Sequence, residues 1–424
     1  MRKAKRNLLI LGANTETIRL VESAIKLDCI VHVADPDPNS PAKRLAHYTL
    51  DCDCNDLDTL QTYCIQNSVE GIMVGVADRL VDSYRRLCGR LGFPSYANEL
   101  ACYYLTDKYN FNQLLENYGL SPIPAVNFNK RSSSNLRNQK VLVKPRDGNS
   151  GKGIRVYSSC HDLTQGVGAT TIEEISAKGL MVERLMDCDD VFLYFQIIQG
   201  RVYLAASADR TTFRPDPGKG SVCYAASYPS RHETLFEKRY SVLVENMIAS
   251  LNIDFGILMI SAFVEQEQMY FYDPGFRLQG EAPDLHLEYL HGVSHCELLV
   301  KFALEGLDSS ITKHISNLRV DKPAGTLWTL ARAGRIHRTI GFDPSPNQAS
   351  LFCQKQRFFE GDHVTSNAEA TEGQVFCRSY FSNKNREKLA LDMHSFYKSS
   401  DIFDEEGLSL KVAIPIEKIE VSDV

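Results

Sequence analysis

The sequence predicts an α/β protein with α+β character in its second half. It divides into a Rossmann-like opening at 1–100, a two-piece central region at 101–307 whose glycine-rich piece covers about 125–182, and a small α+β region at 308–424. Three observations predict this. Strand and helix signals alternate through the opening, the rhythm of a parallel sheet covered on both faces. The run 141–156, VLVKPRDGNSGKGIRV, reads as strand, glycine loop, strand. Apolar hairpins between 191 and 273 then end in the charged motif DPGFRLQGE at 273–281.

In the opening, strands are expected at 8–11, 30–34 and 72–74, with helices over 15–26, 57–67 and 79–91. Gly12 starts like a dinucleotide fingerprint, but Asn14 and Ile18 stand where its later glycines belong, so nothing here points to NAD. Asp35, followed by Pro36, Asp37 and Pro38, reads as a polar turn. Lys108 opens a helical run to Tyr118, with Thr106 as its expected N-cap and Gly119 as its stop. The segment 129–139 is a polar loop.

The glycine stretch begins with Val141, Leu142 and Val143, passes Lys144 and Pro145, and places Gly148, Gly151 and Gly153 within six residues, with Asn149, Ser150 and Lys152 among them. Backbone that folds closely over a phosphate chain needs positive φ and no Cβ in the way, which glycine supplies. A P-loop needs four residues between its glycines and a following helix, and this stretch has neither. A phosphate-covering lid and an ordinary hairpin tip both fit the pattern. Beyond it, weak helix at 161–175 precedes a strand at 179–186 carrying Glu183 and Arg184. Two strands at 191–207 turn at Gln199 and Gly200, and a charged loop at 209–220 contains Arg210, Arg214 and Lys219. Helix is expected over 233–251 and 285–304, with a hairpin between them at 256–273. After about 308 come short strands and turns, such as 325–331, 412–416 and the acidic turn 401–406.

The 424-residue chain is 43% hydrophobic and 24% charged, with net charge -6 and pI near 6.0, so it carries no basic field for nucleic acid or anionic membrane. The apolar run 8–11 behind the basic start is too short for a signal segment, and no later run approaches a membrane span, so a cytoplasmic protein is expected. Twelve cysteines without a CxxC pair read as reduced thiols. His286, Glu288, His291 and His295 lie close in sequence, but the HExxH order is absent and Gly292 interrupts them, which argues against zinc.

The pairing of KPRDGNSGKGI with DPGFR, at this separation and behind a Rossmann-like opening, resembles the ATP-grasp superfamily, and most closely its carbamoyl-phosphate-synthase-like branch of carboxylate-amine ligases. The resemblance covers nearly the whole chain. It implies ATP and Mg2+, with Lys108 and Lys144 on the phosphates and the loop containing Gly148, Ser150, Gly151, Lys152 and Gly153 as a mobile lid. It places Glu183, Arg184 and Leu185 at an adenine hinge and Asp190 near the ribose. Asp273 would hold magnesium, and Arg277 the reacting phosphate. Arg210, Lys219 and Arg231 would lie near an acid substrate. The implied reaction joins a small carboxylate to an amine through an acyl phosphate, in a protein expected to be a homodimer. Two departures stand out: Gly275 where the family carries Asn, and Ser261 where it carries an acidic or amide ligand. They raise a second reading, a nucleotide-binding protein without ligase activity. A biotin-carboxylase-like enzyme is a third, although the chain has no MKM biotinylation site.

Overall fold

The computed structural model of the chain describes residues 5–124, 126, 140–146, 153–168, 172–312, 318–342 and 350–419. The opening is a four-stranded parallel sheet of β1 (Asn7–Leu11), β2 (Ile30–Ala34), β3 (Tyr48–Leu50) and β4 (Gly71–Val74), in the order β3-β2-β1-β4. Leu8 to Leu11 are all buried, as a continuous apolar strand between two helical layers must be. The helices are α1 (Ile18–Lys26), α2 (Leu57–Gln66) and α3 (Val81–Leu91), close to expectation. The short edge strand β3 was not anticipated, since its residues are largely exposed and carry no apolar alternation.

Next come α4 (Glu99–Leu105) and α5 (Lys108–Asn117). The cap of α5 is Asp107, whose carboxylate accepts from the Tyr109 and Asn110 amides, and not the expected Thr106, which closes α4 by donating to Cys102 O. The strands that flank the glycine stretch pair as expected: β5 (Val141–Pro145) runs antiparallel to β6 (Arg155–Tyr157) and to β7 (Leu180–Arg184). With α6 (Cys160–Val167) and α7 (Ile172–Ala177) they close over their own small core of Val126, Val141, Val143, Leu163, Ile175 and Val182.

The body of the molecule is an antiparallel sheet of eight strands. Five of these are β8 (Asp189–Ile198), β9 (Arg201–Phe213), β10 (Val222–Tyr228), β11 (Phe255–Glu265) and β12 (Gln268–Gly275). Gln199 and Gly200 turn between β8 and β9 with φ of 51° and 71°, as predicted. β9 extends to Phe213, so 209–213 is strand where a loop was expected: ladder bonds to β8 and β10 hold polar residues that local composition assigns to a turn. Two helices, α8 (Glu233–Arg239) and α9 (Ser241–Ala249), replace the single expected one, and Gly292 likewise divides α10 (Asp284–His291) from α11 (His295–Glu305). A one-turn helix, α12 (Ser309–Thr312), follows.

The sheet does not stop near 308. β13 (Ala324–Leu330) pairs with β10, and β16 (Leu351–Gln356) and β18 (Val375–Ser382) complete the order β12-β11-β8-β9-β10-β13-β18-β16. Short ribbons join β14 (Gly334–Arg335) to β17 (His363–Val364) and β15 (Arg338–Ile340) to β19 (Asp401–Phe403). The acidic turn expected at 401–406 therefore starts as a strand, while 412–416 forms no strand. The helix α13 (Arg386–Ser399), capped by Asn385, was missed because its apolar spacing is diluted by charge. Leu8, Phe276, Trp328 and Phe381, drawn from every part of the chain, belong to one contiguous core.

Candidate active site

Asp273 lies at the end of β12, where the register shifts between Ile260 and Ser261: Ile260 opposes Pro274 and Ser261 opposes Tyr272, so Asp273 is the bulged residue. Its φ of 47° is left-handed, an uncommon conformation for a non-glycine residue. The bulge turns its carboxylate toward Lys108 at the first position of α5, with Nζ–Oδ1 at 3.1 Å. Crowding by protein pulls the Asp273 carboxyl up, but Lys108, and after it Lys144, outweigh this and hold it below the ordinary carboxylate range. Both lysines thus act on one carboxylate.

Lys144 is itself buried on β5, its Nζ 2.7 Å from Glu183 Oε2 on the facing strand β7. Sheet register explains the pair: Leu142 opposes Glu183 and Lys144 opposes Met181, one diagonal apart. Glu183, expected at the hinge, therefore points inward to a cation. Of the other residues expected at the hinge, the Arg184 amide donates to Pro124 O at 3.1 Å and the Leu185 amide to Lys140 O at 3.1 Å, so neither N–H is open. The Arg184 side chain pairs with Glu265 at 2.7 Å.

Asp190, expected at the ribose, is instead part of an inward cluster. Its Oδ1 accepts from Tyr272 Oη at 2.8 Å and lies 3.4 Å from Arg210 Nη1. Burial pushes this carboxyl up to about 6 despite Arg210. Arg210, placed near a substrate by resemblance, spends its fork on the protein: Nε and Nη2 meet Glu281, the latter at 2.6 Å, and Nη1 donates to Ser261 Oγ at 2.9 Å. Ser261 is thereby committed to a guanidinium. A Cβ at Gly275 would come within 2.8 Å of Gln279 Oε1, the far end of a side chain that can shift aside. The Gln279 amide fills that space and donates to Gly275 O at 2.6 Å.

Arg277 reaches into the opening sheet. Its Nη2 lies 2.5 Å from Asp78 Oδ2, just after β4, and its Nη1 donates to Leu278 O and Gln279 Oε1. Its buried Nε has no hydrogen-bond partner among the described residues. Lys219 is an exposed turn residue, and Arg231 pairs with Asp189 at 3.1 Å; neither joins Arg210 in its cluster. Gly148, Ser150, Gly151 and Lys152 lie outside the described residues. Gly153, with φ of 77°, packs against Pro145 at the base of the hairpin.

Sequence reading missed Asp78, Gln279 and Glu281. The last two stand inside the motif DPGFRLQGE at 273–281, but the strand ends at Gly275 and the chain beyond it bends and turns, so no alternation marks them. Asp78 carried no signal either. The histidines do not converge: His286 meets Thr326, His291 meets Arg319 O, and His295 meets Tyr194. Among the described residues no cluster of three or more His, Cys, Asp or Glu could hold a metal, and no helix is long and apolar enough to cross a membrane.

No family model matches the chain, and no curated protein does. Solved structures do. Phosphoribosylglycinamide synthetase from Anaerococcus prevotii matches at a TM-score of 0.73 and 14% identity, over 95% of this chain and 100% of that one. The L-amino acid ligase from Bacillus licheniformis matches at 0.74 and 16%, over 95% and 100%. The biotin carboxylase domain of the Hydrogenobacter thermophilus 2-oxoglutarate carboxylase, solved with MgADP, ADP and bicarbonate, matches at 0.70 and 14%, over 95% and 91%. With a parallel opening sheet, a lysine-bearing strand β5 in a unit with its own core and a closing strand that carries Asp273 with Arg277 just beyond its end, this chain has the ATP-grasp fold.

Proposed function

We propose that the protein is an ATP-dependent, ADP-forming ligase that joins a small carboxylate to an amine. The reading rests above all on Lys108 beside Asp273, with Lys144 and Arg277 in electrostatic reach of the same carboxylate. Lys108 and Lys144 would bind the phosphate oxygens, and the strand Leu180–Arg184 would border the nucleotide. A substrate carboxylate oxygen attacks the γ-phosphorus, the bond from that phosphorus to the β-bridging oxygen breaks, and ADP leaves. The amine nitrogen then attacks the acyl carbon, loses a proton, and expels phosphate. Little covalent work falls to the chain, whose cations neutralise the charge that spreads during transfer.

The donor set fits one magnesium ion. Asp273 offers a single carboxylate, Ser261 is spent on Arg210, and Gly275 has no side chain, while magnesium is commonly held by one or two carboxylates with phosphates and water. Bound there, the ion would screen the phosphate oxygens. A second reading, nucleotide binding without ligation, is favoured by that same loss of Ser261 as a ligand. ADP and phosphate release, followed over panels of acids and amines with a Lys144→Ala control, decides between them. Magnesium-dependent turnover lost in Asp273→Asn establishes the ligase, and saturable ATP binding with no acid-dependent turnover removes it. A cytoplasmic homodimer belongs to the same proposal, and light scattering tests the dimer.

A further inference from the structure

The opening part of the chain holds Arg277 at two points. One is direct, Asp78 on Nη2. The other runs through Gln279, which stands just beyond Arg277 and is 1% exposed. Gln279 Oε1 accepts from Arg277 Nη1 at 3.2 Å, while Nε2 donates to Gly275 O at 2.6 Å and to Arg277 O at 2.5 Å. One side chain thus closes the turn that follows Asp273 and holds one arm of the Arg277 fork.

Gln279 is itself fixed from α1. Arg19, buried in the first turn of that helix, donates from Nη2 to Gln279 O and from Nη1 to Asp284 Oδ2. The Gln279 carbonyl also accepts from the Ala282 amide at 3.1 Å, but that bond stays inside the closing segment, and of the two donors only Arg19 comes from another part of the fold. Gly280 packs against the same opening loops: a Cβ there would lie 3.5 Å from Glu16 Cγ and 3.7 Å from Val76 Cγ1. A buried arginine needs an anion, and Asp284 supplies it. The bond to Gln279 O is therefore not required for charge balance. Its direction is set by the planar fork, which spans two acceptors in a fixed geometry that a lysine ammonium lacks. Arg19 thus fixes the Gln279 main chain, and the Gln279 side chain fixes Arg277.

We propose that Arg19 is a positioning residue for Arg277 and acts through Gln279, so that the opening helix sets the aim of the guanidinium that meets the reacting phosphate. The inference rests on the ligase reading for the purpose of that aim, but its first test needs no turnover. The full chain, carrying isotope-labelled arginine, is observed by NMR without ligand, and the Arg277 Nε–H signal is identified by its loss in Arg277→Lys. In Arg19→Lys, which keeps the charge for Asp284 and loses the fork, that signal shifts and the Arg277 fork rotates faster. Gln279→Met, close in shape but without the amide, gives the same change. Asp284→Asn leaves the bond from Arg19 to Gln279 in place, so it lowers the melting temperature with the Arg277 signal unmoved. With an active acid and amine pair, kcat falls at least about tenfold in Arg19→Lys while KM for ATP stays within about twofold, as for a group misaimed in the transition state. The double variant with Gln279→Met is no slower than the slower single one, because both break the same relay. Should Arg19→Lys not fold, Arg19→Gln combined with Asp284→Asn removes the buried pair as a whole and carries the same test. An Arg277 signal indifferent to Arg19, an equal response to Asp284→Asn, an unchanged kcat or additive losses in the double variant overturns the inference, and the ligase stands without it wherever turnover is seen. A signal that responds in a chain whose ADP release no acid and amine can drive upholds the positioning and removes the ligase.

Discussion

Lys144 and Glu183 form a buried pair, and at this scale stability and ligand binding are entangled. Removing one partner leaves a buried charge uncompensated, which costs about 3–5 kcal/mol. Lys144→Ala is therefore expected to lower unfolding stability as well as ATP affinity. Adding Glu183→Gln should recover most of the stability but not the affinity, as chemical denaturation and ATP titration would read separately. Asp273 offers the opposite separation. Its left-handed φ of 47° costs a non-glycine residue about 1 kcal/mol. Asp273→Gly should leave the melting temperature unchanged or slightly raised while ATP turnover falls by at least about a hundredfold, or about 2.7 kcal/mol of transition-state stabilisation. A matching loss of both would mean that the residue only holds the bulge.

At the scale of elements, α10 and α11 carry two buried histidines whose rings stay neutral. Burial lowers His286 to about 3 and His295 to about 4. In the unfolded chain both titrate near 6.5, so between that value and their folded values the unfolded state binds more protons. Their contribution is fully present above about pH 6.5 and is lost as pH falls toward 4 for His295 and toward 3 for His286. Each should add a slope of about 1.4 kcal/mol per pH unit in that window. His295→Gln should remove about one such increment from the stability-pH curve, and an unchanged slope would contradict the assignment. Elements were legible where the local signal was self-sufficient. The Gln199–Gly200 turn and the hairpin 141–157 are spelled out by glycine and apolar alternation. The cap of α5 slipped by one residue because Thr106 and Asp107 both suit an N-cap, and the choice depends on which carboxylate or hydroxyl the backbone turns toward the amides.

Across the whole molecule, long-range ion pairs tie the three parts together. Arg19 of α1 pairs with Asp284 of α10, Glu16 with Arg378, and Asp78 with Arg277. The last of these makes the opening sheet part of the site. Asp78→Asn keeps the shape but weakens the hold on Arg277, a positioning effect. It should lower kcat by about tenfold, or about 1.4 kcal/mol, while KM for ATP stays nearly unchanged. A rise in KM for ATP with kcat intact would instead place Asp78 in nucleotide binding.

What the sequence by itself determined is the order and kind of most of the longer elements before about 308, and the presence of Lys108, Lys144, Asp273 and Arg277 near their ends, because apolar spacing and glycine placement report on the solvent each residue must avoid. Which charges those residues would meet was decided by the tertiary structure alone. Glu16 and Arg378 lie 362 positions apart, and Asp78 and Arg277 lie 199 apart. A buried ion pair is stabilised by proximity and by exclusion of water, and neither leaves a local pattern in the chain. For the same reason the eight-stranded sheet could run past the boundary expected near 308: hydrogen bonds between β10 and β13 depend on alignment in space, which no window of neighbouring residues encodes.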